Sequence, residues 1–500
     1  MRRIAYCSPV NPLPTGISDY SEELLPFLGQ YAEIVLFVPS GTQPTNQNLR
    51  RLEVHPVDLL PRRHAARPFD AIVYHLGNSP VHAEIYEAAQ RLPGVVVLHE
   101  WVLHHFKLWY AATRRGDVEQ YMRELAQRYG ERGTSVGQRM ARGQLLDAAF
   151  EMPLVEDVVE RAAGIVVHSR WMHDRVKALR PDVAAAVVPM GVPLPMEIRR
   201  EDARRRLNLP AGVPIWASFG HINPYKRMEA AMRAFRRFRA VEPRARYLLV
   251  GSLSPSYDLP GLIRRLGLGD SVHILGHLSS EDFALYLAAS DICLNLRYPT
   301  AGETSASSLR LLAAGRPTLV SDVGALAEFP DDVAGKVAIG PGEEQHIFAL
   351  ARLVHLWPEF AARWGDSARR YVAARHTLPE AAHRYILFLA ALYGWSPPTR
   401  QRPTLWDLLV FRAPMPASSL PEDAREGERQ KVVRDDQPGA GSPAATIEPQ
   451  GLLHQLAEDA GRALAELAVQ PDDASVLEDV ATTLAGLWSE PVPRDLERAG

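Results

Sequence analysis

Five hundred residues are too many for one hydrophobic core and point to two or three domains. With 46% apolar and 23% charged residues the composition is that of a globular protein, and a formal net charge of −3 gives no general case for binding nucleic acid. The opening MRRIAYCSPVNP has no apolar signal core, no uncharged apolar run reaches the ~18 residues of a membrane span, and Cys7 and Cys293 stand far apart as reduced thiols would, so a cytoplasmic protein is expected.

Residues 4–8 read as a first strand, followed by the loop PVNPLPTG and a helix over 17–29 with Leu24, Leu25 and Leu28 on one face. The loop carries Gly16 alone. It has neither the G-x-G-x-x-G of a dinucleotide site nor the lysine of a P-loop. A one-glycine loop at a strand's carboxyl end can still approach a ligand, because open α/β sheets bind there. Asp19 either lines the same pocket or simply starts the helix; both readings stay open.

Further strands are predicted at 34–38, 71–75, 95–99, 164–168 and 184–188. Apolar runs such as VVVL suit strands covered on both faces, and alternation with helix-length segments predicts a parallel sheet. His75 and His99 each end a strand, with Asn78 just after the first. Polar groups at such ends are expected to face a ligand cleft, here on its sugar or acceptor side. Residues 101–144 are predicted mostly helical and are rich in arginine and aromatic residues, with glutamates between them. They read as a solvated insertion, or as a surface for anionic lipid or a lipid-linked acceptor. The second reading implies a peripheral position at the inner face of a membrane.

The Pro-rich PMGVPLP around 189–195 breaks the pattern and reads as a hinge. Strands are predicted again at 215–219, 247–251, 272–275, 292–296 and 317–321. The fold class is therefore α/β, with two tandem Rossmann-like domains, 1–195 and 196–395, facing a central cleft. Residues 396–450 are rich in Pro, Ser, Gly and charge and are expected to be a flexible linker. Residues 451–488 regain a helical apolar stripe and read as a hairpin for a partner or for self-association.

Two turns of the second half carry the chemistry. In FGHINPYKR a glycine follows a strand, and His221 and Lys226 follow the glycine. In RYPTAGETSASSLRLLAAG, Glu303 precedes a helix that starts with the small residues Thr304, Ser305, Ala306 and Ser307 and is closed by Gly315. Open N–H groups and the positive dipole end suit an anion, and a nearby cation would complete a diphosphate clamp. Arg310 lies further along this helix, facing either the cleft or water.

Together these segments resemble the retaining, GT-B fold glycosyltransferases of family 4, over roughly 1–395, as a divergent branch. Lys226 matches the lysine of that family's G-R-L-x-x-x-K-G turn, while His221 replaces its arginine. Counting back from Gly315, the second glutamate of the family's E-x7-E falls on Arg310 and the first on Gly302, with Glu303 one residue late. His99 and Gly16 match the family's strand-end histidine and N-terminal glycine loop. The resemblance implies a hexosyltransferase that moves a sugar from a nucleotide-diphosphate sugar to a glycan or lipid-linked acceptor with retention, in cell-surface polysaccharide or glycoconjugate synthesis. His99, Lys226 and Glu303 would be its catalytic residues. Gly16, His221, Lys226, Glu303, Thr304–Ser307 and Arg310 would bind the donor, with Asp19, His75 and Asn78 on the acceptor or sugar side. No D-x-D occurs, so neither metal nor cofactor is expected, and Arg310 is expected to pair with Glu303 or Glu328 or to add charge at the diphosphate. The other readings are a GT-B sugar-nucleotide epimerase and a non-catalytic nucleotide-sugar-binding or scaffold protein.

Overall fold

A computed structural model describes residues 1–144 and 147–399. The expected linker and hairpin, 396–450 and 451–488, lie outside the described residues apart from 396–399.

The first half forms a seven-stranded sheet: β1 Arg2–Cys7, β2 Ala32–Val38, β3 Glu53–Pro56, β4 Ala71–Leu76, β5 Val95–Leu98, β6 Gly164–Val167 and β7 Ala185–Val187. Its order is β3-β2-β1-β4-β5-β6-β7, and every pairing is parallel. The second half forms a six-stranded parallel sheet: β8 Ile215–Phe219, β9 Arg246–Val250, β10 Val272–Gly276, β11 Ile292–Asn295, β12 Thr318–Ser321 and β13 Gly335–Val337, in the order β10-β9-β8-β11-β12-β13. Strand order reverses direction beside β1 and β4 in one sheet and beside β8 and β11 in the other. The carboxyl ends of these strands are where such sheets open to ligands.

Inner strands such as Val95–Leu98, Ile215–Phe219 and Ile292–Asn295 are buried along their whole length. Two edge strands escape the sequence reading. β3 is Glu-Val-His-Pro with no apolar run, and β13 has three residues. An edge strand needs little burial and leaves little periodicity to detect.

The last helix, Leu378–Tyr393, belongs in sequence to the second half but packs on the helix Gly16–Leu28 of the first. Thr377 caps its start, and Leu378, Ala381, Ala382, Tyr385, Ile386 and Leu389 form the buried stripe. The Tyr385 and Tyr20 hydroxyls lie 3.4 Å apart, and Val192 pairs with Thr377. The segment 101–144 is helical from His104 to Arg115 and from Val118 to Ala141, with non-helical backbone at Gly130. Four of its arginines are matched by acids: Arg114 with Glu87, Arg123 with Glu119, Arg128 with Glu124 and Glu160, and Arg132 with Glu151. Among the described residues no helix is long and apolar enough to cross a membrane.

Candidate active site

β8 ends at Phe219, and Gly220 turns the chain with φ +104°. The turn holds His221 exposed, its Nδ1 2.8 Å from the Ser252 hydroxyl. Asn223 then caps the short turn Pro224–Lys226. Lys226 is half-buried, and its ammonium is pushed down to about 7. Desolvation is the main cause, the nearby Arg297 adds to it, and Glu303 opposes it.

The neighbouring strand β11 runs directly into Arg297, which is only 6% exposed. The Ser321 hydroxyl accepts its backbone N–H at 2.9 Å. Its guanidinium donates to Asn295 Oδ1 at 3.1 Å and forms an ion pair with Glu303. Glu303 also accepts from the Thr300 hydroxyl at 3.2 Å. The helix Ala306–Ala313 starts just beyond, with Ser305 as its cap: the Ser305 hydroxyl accepts the Ser308 N–H at 3.1 Å. Thr304 is not the cap, and its buried hydroxyl has no partner.

The late position of Glu303 has a packing cause. Gly302 has φ +83°, and a Cβ there would lie 2.3 Å from the Trp171 ring and 3.0 Å from Trp101 Cβ. No carboxylate-bearing residue fits that point of the turn. The same segment touches the first half directly, since the N–H groups of Trp101 and Val102 donate to the Ala301 carbonyl at 2.7 and 3.2 Å.

From the first half, Glu100 reaches the same region. One of its oxygens accepts the Asn78 N–H. Its carboxyl is pushed up to about 7, chiefly by burial and then by Glu303, with the Asn78 N–H and Arg297 opposing. Four ionisable groups from both halves, Lys226, Arg297, Glu303 and Glu100, therefore share one electrostatic environment.

Other expected residues are placed differently. β4 runs one residue past His75, and His75 is fully buried. His75 Nδ1 and His99 Nε2 are 2.9 Å apart, and the His99 ring lies 4.9 Å from that of His168 and 5.6 Å from that of Tyr20. His82 joins them through the His75 carbonyl. Burial holds all four imidazoles neutral: His82 and His168 fall to about 4, and His75 and His99 lie well below the usual value. Asn78 ties loops together, its Oδ1 accepting the Phe106 N–H at 2.8 Å. Asp19 accepts from the Asn11 amide at 3.0 Å. Gly16 begins the first helix, with open space where a Cβ would stand.

Arg310 pairs with neither Glu303 nor Glu328. It donates to Glu23 of the first half at 2.5 Å. Glu303 is already matched by Arg297, and Glu328 accepts the backbone N–H groups of Arg170 and Trp171, capping the helix Arg170–Leu179. The sequence reading missed Arg297 and Glu100 as site residues. The signal was there: each is a charged residue within two positions of a buried strand's carboxyl end. Among the described residues no group of three or more His, Cys, Asp or Glu side chains could hold a metal ion.

Residues 199–371, which carry the Lys226, Arg297 and Glu303 turns, match the family model for glycosyl transferases group 1. The match is confined to the second half of the chain. A mannosyltransferase of Mycolicibacterium hassiacum, the MMP alpha-(1->4)-mannosyltransferase, is 30% identical over 188 residues, 37% of this chain and 43% of that protein. The D-inositol 3-phosphate glycosyltransferase of Stackebrandtia nassauensis is 30% identical over 246 residues, 46% of this chain and 53% of that protein. The chain thus spans about half the length of these relatives. Sucrose-phosphate synthase from Thermosynechococcus elongatus superposes with a TM-score of 0.58 at 17% identity, covering 79% of this chain and 100% of that one. Anabaena Alr3699/HepE, solved in complex with UDP-glucose, gives 0.57 at 14% identity, covering 78% and 100%. The fold is GT-B, two Rossmann-like domains in tandem.

Proposed function

We propose that the protein transfers a hexosyl group from a nucleotide-diphosphate sugar to a glycan or lipid-linked acceptor, with retention of anomeric configuration. The observation that carries this reading is the meeting of Lys226 and Glu303 with the start of the helix Ala306–Ala313, at the carboxyl ends of paired strands β8 and β11. Breaking the anomeric bond leaves the electron pair on the diphosphate oxygen and positive charge on the sugar. Lys226, His221 and the N–H groups at Thr304–Ser307 would meet the anion where it develops. These protein donors are the basis for proposing that no metal is required. Glu303, the carboxylate on the turn, would accept sugar or ribose hydroxyls, and the leaving phosphate would take the acceptor's proton. His99, buried and neutral, would act by placing the strand end and offering its backbone carbonyl to the positive centre of the sugar.

The test is release of free nucleoside diphosphate from a panel of nucleotide sugars, with and without candidate acceptors. Release that depends on acceptor supports transfer. Binding without release would support the non-catalytic reading, and conversion of the sugar nucleotide without acceptor would support an epimerase.

A further inference from the structure

In the glycine turn after β8, His221 stands where the resemblance would place an arginine beside Lys226. A buried guanidinium, Arg297, stands at the end of the adjacent strand. We propose that Arg297 is the second cation of the donor diphosphate site, occupied by Glu303 until a diphosphate arrives. This inference rests on the donor reading above.

Position comes first. β8 and β11 pair in register, Leu294 opposite Ser218, so their carboxyl ends deliver Lys226 and Arg297 to one place. The two cations feel each other: Arg297 contributes to the depressed proton affinity of Lys226. One carboxylate, Glu303, serves both. Glu303 is the carboxylate paired with Arg297, and Glu100, whose carboxyl is raised by burial, supplies only part of a second counter-charge, so two cations withdrawn from water suit an anion.

Unused donors point the same way. Arg297 Nε is buried without a partner, although both terminal nitrogens are bonded. Asn295 Nδ2, Thr304 Oγ1 and Ser308 Oγ on the same strand–turn–helix unit are also buried without partners. Buried polar groups are ordinarily paired, so each orphan asks for an explanation. A ligand rich in acceptor oxygens supplies one. Arginine's planar fork fits two phosphate oxygens at once, whereas a permanent structural ion pair with Glu303 would leave these donors idle. When a diphosphate takes Arg297, Glu303 is released to accept a sugar hydroxyl. The ion pair then acts as a placeholder for the anion.

Isothermal titration with nucleoside 5′-diphosphates and the matching monophosphates tests this on the full chain. Arg297→Gln is expected to weaken diphosphate binding about 10- to 100-fold, the scale of a lost charged hydrogen bond, and monophosphate binding much less. Glu303→Gln is expected to tighten the binding of inorganic diphosphate, which offers no ribose hydroxyl, because it removes the competing carboxylate. Diphosphate affinity within twofold of wild type in Arg297→Gln, or equal losses for both nucleotides, would overturn the inference while leaving the donor reading in place. If the wild-type chain binds no nucleoside diphosphate of the panel, the donor reading falls and this inference with it. Should Arg297→Gln fail to melt cooperatively, Glu303→Gln decides alone: tighter binding of inorganic diphosphate supports the placeholder, and unchanged or weaker binding refutes it.

Discussion

The carboxyl edge of the first sheet carries four buried imidazoles, His75, His82, His99 and His168, while that of the second carries Lys226, Arg297 and Glu303. Both sets stand at strand ends of similar parallel sheets. The imidazoles pack on Tyr6, Tyr20 and one another and are held neutral by desolvation. The charged set is paired internally yet keeps unused donors. A polar residue at a strand end is thus not a functional residue by position alone. What separates the two edges is whether the group remains charged, since unpartnered buried atoms occur at both, His75 Nε2, His82 Nε2 and His168 Nε2 on the first.

The largest expected consequence of the difference is acid sensitivity of the histidine edge. Each imidazole has a folded pKa below its unfolded value of 6.5, so the unfolded chain binds more protons as pH falls. Stability is therefore fully present above about 6.5 and lost as pH falls toward 4, at up to about 1.4 kcal/mol per pH unit for each histidine. Glu100 and Glu23 work in the opposite direction in this range, because their folded carboxyls are raised, while His104, His105, His273 and His376, also lowered by burial, add to the fall. Scanning calorimetry from pH 7 to 4.5 should show a steep fall in Tm. A flat profile would mean that the imidazoles are not held neutral.

On the charged edge, Lys226→Ala should lower turnover about 10²-fold or more, the scale of losing one donor to a developing anion. Steady-state assay of a variant with unchanged melting checks this, and near-wild-type turnover would remove Lys226 from the diphosphate site.

The same lysine should make donor affinity pH-dependent. Its folded pKa of about 7 means that it is largely neutral above that value, and binding an anion must pull a proton onto it. Diphosphate affinity should then fall as pH rises from 7 to 9, by up to about tenfold per unit. Lys226→Arg should flatten the dependence. Equal slopes in both proteins would assign the titration to another group, Glu100 first.

The smallest expected effect concerns the contact between the halves. Burial raises the Glu23 carboxyl, and Arg310 opposes that rise. Arg310→Glu would set two carboxylates against each other, costing about 1–3 kcal/mol in this part-buried setting. Thermal unfolding measures it. An unchanged Tm combined with weaker donor binding would return Arg310 to the donor site.

The two sheets, the Lys226 turn and the small-residue helix start were legible because apolar runs, a glycine and a cap leave local signals. Arg310's partner was not, since Glu23 lies 287 residues away in sequence and no local pattern encodes it. The displacement of Glu303 was visible as a spacing, but its cause, Trp171 packed on Gly302, exists only in three dimensions. His75 lies one residue inside the end of β4, packed against Tyr6, Tyr20 and His99, and that packing across other elements leaves no local signal in the sequence.

The most direct measurement is a crystal structure of the protein with a bound nucleoside diphosphate. The account expects the terminal phosphate within hydrogen-bonding distance of Lys226 Nζ and the Arg297 guanidinium, with Glu303 turned away from Arg297. A diphosphate bound elsewhere, for example in the cavity lined by Arg227, Arg233 and Tyr257, with the Arg297–Glu303 pair intact, would contradict it.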